Sequence, residues 1–189
     1  MANPPIVIGT FDNVPAPGSP IKSDWPQEIS TFVQALPRGY VAESANAADQ
    51  TVPLNATVDI ANCAVTFQAV STRRYRTTLF VDLVANATGM VLTASIADGA
   101  NNDKRAGAIN IPAGGMSTIR ISVVEWGING STTRKGRVTM AFGGAGGTAT
   151  ILGTALRVAS ITVDDIGSTN PIPTALPADD DETAEATPA

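Results

Sequence analysis

The sequence predicts an all-β protein: an antiparallel β-sandwich or jelly roll, preceded by an extended proline-rich arm and one short amphipathic helix. Three observations predict it. Residues 51–61 set Val52, Leu54, Ala56, Val58 and Ile60 between Thr51, Pro53, Asn55, Thr57 and Asp59. Side chains on a strand point to opposite faces with period two, so this stretch has one dry face and one wet face. Clusters of Gly, Asn and Asp then recur from Asn86 to Gly147, and these residues accept the positive φ of hairpin turns. Aromatics make up only 5% of the chain, so the core is built from Val, Ile, Leu and Ala, as packed sheets require.

Residues 1–43 read as an N-terminal anchoring arm and helix. Pro4, Pro5, Pro15, Pro17 and Pro20 surround Ile6, Val7 and Ile8. Proline fixes φ and removes a donor, so the arm is either extended against another surface or a plain disordered terminus. The Ile6-Val7-Ile8 triplet suits addition to a neighbour's sheet edge. A helix opens at Ser23 or Asp24, where Asp24 and Gln27 have the form of a capping box and Pro26 falls in the first turn. Trp25, Ile29, Phe32, Val33 and Leu36 share one helical face before Pro37, Arg38 and Gly39 end the run. Such a helix is too short to stand alone in water. Its stripe packs on its own β-domain, on sister helices around a symmetry axis, or on a host particle.

Residues 44–50 read as a small polar linker and 51–167 as the β-sandwich domain. Residues 62–70 put Cys63, Val65, Phe67 and Ala69 on one face. Residues 74–85 carry Leu79, Val81 and Leu83 on one face, with Phe80 and Val84 on the other. Residues 90–97 present Met90, Leu92, Ala94 and Ile96, and 117–126 alternate through Ile119, Ile121 and Val123. Val138, Met140 and Phe142 are the inward set of 137–142, and 154–166 close the domain. Two strands, 74–85 and 154–166, read as apolar on both faces, and a second apolar face needs a cover. This predicts self-association, with Arg74, Arg76 and Phe80 as subunit contacts. Residues 168–189 read as a disordered acidic tail, dispensable for folding because it has nothing large to bury.

The charge is unevenly spread. From Asp164 onward there are seven acids and no Lys or Arg, leaving ten acids against all twelve bases in the rest of the chain. A nearly neutral body gives no basic face for nucleic acid. Arg73-Arg74-Tyr75-Arg76 is the densest basic cluster and reads as the solvent face of a strand. Arg134-Lys135-Gly136-Arg137 reads as a solvated turn, and Asp164 and Asp165 as partners for an arginine.

Histidine is absent, which removes the commonest general base, pH switch and metal ligand. No acid pair, metal cluster or nucleophile–base set can be assembled, so the expectation is a protein that is not an enzyme, with no cofactor. Cys63 is the only cysteine and reads as an inert core thiol. The start lacks a basic region and a long apolar stretch, so the expectation is synthesis in a cytoplasm without a signal peptide. No run approaches the roughly 20 apolar residues of a membrane span, so no membrane insertion is expected. A carbohydrate-binding module would use exposed aromatics, for which Tyr40, Tyr75 and Trp126 are the candidates.

The run from Val14 through Pro15, Pro17, Pro20, Asp24, Trp25 and Pro26 to Ile29 precedes a β-domain that closes on Val163-Asp164-Asp165-Ile166-Gly167. This arrangement resembles small virion proteins of tailed bacteriophages, most of all those of phages infecting actinobacteria. Asp164 stands where a glutamate is common in them. The resemblance covers both ends of the chain and implies a structural role in the virion, as a trimer, in a minor tail protein or a capsid decoration protein. Other virion proteins are then the partners, with a host-surface glycan as a further one. It supplies no catalytic residues.

Overall fold

The computed structural model describes residues 33, 36–86, 90–111, 114–142, 147–154 and 158–169. The proline-rich arm, most of the amphipathic helix and the acidic tail lie outside the described residues. Among the described residues, the compact unit Pro37–Thr169 contains ten strands: β1 Gly39–Asn46, β2 Gln50–Pro53, β3 Thr57–Ala69, β4 Arg73–Ala85, β5 Met90–Asp98, β6 Asp103–Ile111, β7 Met116–Glu125, β8 Gly130–Phe142, β9 Thr148–Ile151 and β10 Ala159–Ser168. Strand β1 thus occupies residues read as the end of the arm and the start of the linker.

The pairing is nested. β1 pairs β10, β2 pairs β9, β3 pairs β8, β4 pairs β7 and β5 pairs β6, all antiparallel. A long two-stranded ribbon with its tip between β5 and β6 is therefore rolled up, as in a jelly roll. Rolling brings β10 and β9 end to end along one edge of β4, opposite β7. It also places β8 between β3 and β5. The result is a six-stranded sheet built on β4, facing a four-stranded sheet in the order β3-β8-β5-β6.

The core lies between the sheets. Leu79, Leu83, Leu92, Ile96, Met140 and Ile161 are fully buried, and each side chain of this size contributes roughly 1.5–3 kcal/mol. Gly136 of β8 points into this layer, where an added Cβ would come within 2.7 Å of Leu79 Cδ1. At the β6/β7 side, a Cβ on Gly107 would come within 2.9 Å of Ile121 Cγ2, so both glycines let the sheets approach closely. Cys63 is buried beside Gly136, and burial pushes its thiol pKa up to about 12.

The other side is stitched by side chains. The register of β3 slips between Asp59 and Ala64, where Asn62 takes φ 53°. This bulge exposes backbone groups that would otherwise pair along an edge. Ser44 Oγ donates to the Asn62 carbonyl. Gln50 Nε2 donates to the Asp59 carbonyl at 2.8 Å, and Gln50 Oε1 accepts from Ala61 N at 2.8 Å.

Several sequence expectations are corrected. Residues 51–61 are two strands, broken at Leu54–Asn55 where Asn55 takes φ 56°. The segment 134–137 is the middle of β8, with Arg134 and Gly136 inward. The closing strand starts at Ala159, and its outer face of Ser160, Thr162, Asp164 and Ile166 is mostly polar. Of the two strands read as apolar on both faces, β4 keeps that character, through Phe80 and Val84, both half-buried. The side chain of Phe142 lies outside the described residues.

Among the described residues, one buried side-chain group is unsatisfied. Thr77 is fully buried between Val163 and Val123, and its hydroxyl has no hydrogen-bond partner. A buried, unbonded hydroxyl costs free energy that an isosteric methyl does not. Thr77→Val is expected to stabilise the domain by about 1 kcal/mol and raise the melting temperature by roughly 3–5 °C. Calorimetry checks this, and an unchanged or lower melting temperature would contradict it.

Candidate interaction face and polar end

β4 alternates its basic cluster between two environments. Arg73, Tyr75 and Thr77 point inward, whereas Arg74, Arg76, Thr78 and Phe80 point outward. Arg73 is therefore buried, contrary to the solvent-face reading, and its guanidinium forks onto Asp165: Nε donates to Oδ2, and Nη2 donates to Oδ1 at 2.8 Å. Asp165 Oδ1 also accepts from Gly167 N at 3.0 Å. Of the two acids read as arginine partners, Asp165 takes the role.

Register explains the layer this pair belongs to. Asp165, Tyr75 and Glu125 lie in one row across β10, β4 and β7. Arg134 reaches Glu125 from the opposite sheet, with Nε to Oε2 and Nη2 to Oε1 both at 2.7 Å. Two acids flank Tyr75, and each is clamped by an arginine. The Tyr75 hydroxyl accepts from Val70 N at 3.0 Å, and its ring packs on Phe67 at a centroid distance of 5.2 Å. Tyr75 is thereby removed from the aromatics available to a ligand, while Tyr40 and Trp126 remain exposed. This polar layer ends the core where β4 begins and β7 and β10 finish. A shallow cleft of about 410 Å³ opens beyond it, lined by Asp98, Lys104, Asn129, Ser131 and Arg134 among others.

Charges on the outside of the four-stranded sheet satisfy one another. Lys135 Nζ and Arg137 Nε reach Asp59 at 2.6 and 3.0 Å, and Arg137 Nη1 lies 3.5 Å from Asp103. The Lys135 hydrogen bond is the main cause that holds the Asp59 pKa below its ordinary value. Asp98 is likewise held well below the usual carboxylate range, chiefly by hydrogen bonds from Asn102, and Lys104 lies 3.1 Å away. Such exposed pairs contribute little to stability.

The outside of the six-stranded sheet differs. Arg74, Arg76 and Phe80 stand together on it, and Arg120 of β7 is the register partner of Phe80. One row runs Tyr40, Asp164, Arg76, Val124 across β1, β10, β4 and β7; the next runs Glu43, Thr162, Thr78, Ser122. Neither Arg74, Arg76 nor Arg120 is ion-paired, and neither are Glu43 and Asp164. Of the anchoring set, Ile6, Val7, Ile8, Trp25, Ile29 and Phe32 lie outside the described residues, and Val33 and Leu36 are exposed. Among the described residues no three of Cys, Asp and Glu come together as a metal site, and no helix is long and apolar enough to cross a membrane.

No family model matches the chain, and no curated protein does. Among solved structures it is similar to infectious bursal disease virus Gx strain, at 14% identity and a TM-score of 0.43 over 71% of this chain. The chain spans 37% of the length of that viral chain. It is also similar to Eiger TNF from S. frugiperda, at 8% identity and a TM-score of 0.46 over 73% of this chain and 99% of that one. A carbohydrate-binding module, CBM6cm-2 from Cellvibrio mixtus lichenase 5A, gives 15% identity and a TM-score of 0.29 over 66% of this chain and 97% of that one. Likenesses this distant carry no inference about function.

Proposed function

We propose that this chain is a non-enzymatic structural protein of a tailed-bacteriophage particle: a minor tail protein that is anchored by its N-terminal arm, projects its β-sandwich and assembles as a homotrimer. One observation supports this reading most. The chain enters the sandwich at Gly39 and leaves it at Thr169 at the same end, since Gly39 is the register partner of Asp165. The last residues of β2, β4, β6 and β8 lie at the other end. A leader attached at Gly39 therefore holds the sandwich by one end and leaves the opposite end to project. The phage setting itself comes from the proline-bearing leader and the Val163–Gly167 closing motif.

Deletion of Met1–Leu36 tests the anchoring role. The unit Pro37–Thr169 has its own core, so the truncated chain is expected to fold with an unchanged melting temperature and to be missing from assembled particles. Normal incorporation would sink the proposal. Hundreds of copies of the full chain per particle would place it on the head as a decoration protein, and a few copies would place it on the tail.

A further inference from the structure

We infer that the outer face of the six-stranded sheet is the contact between copies of this chain, with Glu43 of one copy meeting Arg120 of the next. The inference rests on the homotrimer reading and names the surface that would make it. Among the described residues, Arg73, Arg134, Arg137, Lys104 and Lys135 each hold a carboxylate. The arginines left over on the six-stranded sheet, Arg74, Arg76 and Arg120, all share its outer face.

Apart from Asp82 of β4, which is buried and accepts from Thr118, the acids left over on that face are Glu43 and Asp164, and they lie on the opposite half. The accessible negative charge is on β1 and β10, and the accessible positive charge is on β4 and β7. Glu43 and Arg120 sit on the outermost strands, three strand spacings or about 14 Å apart across the sheet, and in rows two residues apart along it. That span is too long for an ion pair within one chain, but an adjacent copy brings the halves together. The acidic half of one subunit then abuts the basic half of the next. Such a contact is heterologous and repeats around a closed ring.

Composition agrees with this use. Half-buried Phe80 stands at the centre with neutral Thr78, Thr162, Ser122 and Ser160 around it, and exposed Val124 lies at the rim. Arginine and aromatic residues without lysine mark the cores of protein interfaces. Opposed charges at the margins set the register between subunits.

The test is a charge swap in the full-length chain, read by light scattering coupled to size exclusion, with melting temperature as the check on folding. Wild type is expected to be oligomeric at low salt and to weaken at high salt. Arg120→Glu is expected to weaken association by about tenfold or more without changing the melting temperature, since it removes an attraction and adds a repulsion. Adding Glu43→Arg to that variant is expected to restore the oligomer. A monomeric wild type, an oligomer indifferent to Arg120→Glu, or a double variant that stays dissociated would overturn the inference. Particle incorporation is measured separately, so these outcomes leave the anchoring role standing or falling by itself.

Discussion

Gly153→Ala is expected to destabilise the sandwich by about 3 kcal/mol or more, at the upper end of what overpacking does. Gly153 is buried just after β9 and lies against the corner between β1 and β2, where an added methyl group would run into the backbone of Ala48. Neither side can yield. Gly153 N donates to Asp49 Oδ1 at 2.9 Å. Buried Asn46 holds Ala48 twice, donating to its carbonyl at 2.6 Å and accepting from its N–H at 3.1 Å. A flexible side chain would swing aside, but a backbone fixed by two hydrogen bonds does not. Gly99→Ala is the control, because its new Cβ meets Thr133 Cβ at an ordinary 3.5 Å. Urea denaturation of both variants checks the contrast. Equal midpoints would mean that the corner is pliable.

The second large effect belongs to Asp165. Its removal as Asp165→Ala takes one carboxylate from the buried Arg73 guanidinium and the acceptor from Gly167 N. Breaking a buried pair from one side typically costs about 3–5 kcal/mol, because the surviving charge stays desolvated. Replacing both partners by apolar residues of similar size is far milder. The Arg73→Met/Asp165→Leu double variant is therefore expected to recover most of the stability that the single change loses. Denaturation midpoints at neutral pH measure it. A single variant as stable as wild type would show that Arg73 finds compensation elsewhere.

How much of this was legible in the sequence depended on which physical rule each residue obeyed. The inward sets of β5 and β7 follow from plain alternation. At 51–61 the alternation held, with Val52 and Ile60 buried, even though Asn55 breaks the backbone into two strands. Burial pattern survives a tight turn, so periodicity alone does not locate it. The bulge at Asn62 moves the buried set from even to odd positions, which reads in sequence as two strands.

β6 gave no signal because Lys104, Arg105, Ala106, Gly107 and Ala108 lack β-branched residues. The strand is held by partners, with Gly107 chosen for closeness to Ile121. Gly136 was misread for the same reason: a glycine that makes room in a core looks like one that makes a turn. Arg74, Arg76 and Phe80 share one face of β4 because residues two apart on a strand point the same way. Arg120 and Glu43 join that face only through the roll of the ribbon, which puts β7 and β1 on one sheet.

Whether the chain is part of a particle at all is the central claim, and quantitative mass spectrometry of gradient-purified phage particles tests it most directly. The expected result is the intact chain in the particle band at a fixed copy number that is a multiple of three. Its absence from particles, with the protein abundant in the lysate that yielded them, would contradict a structural role in the virion.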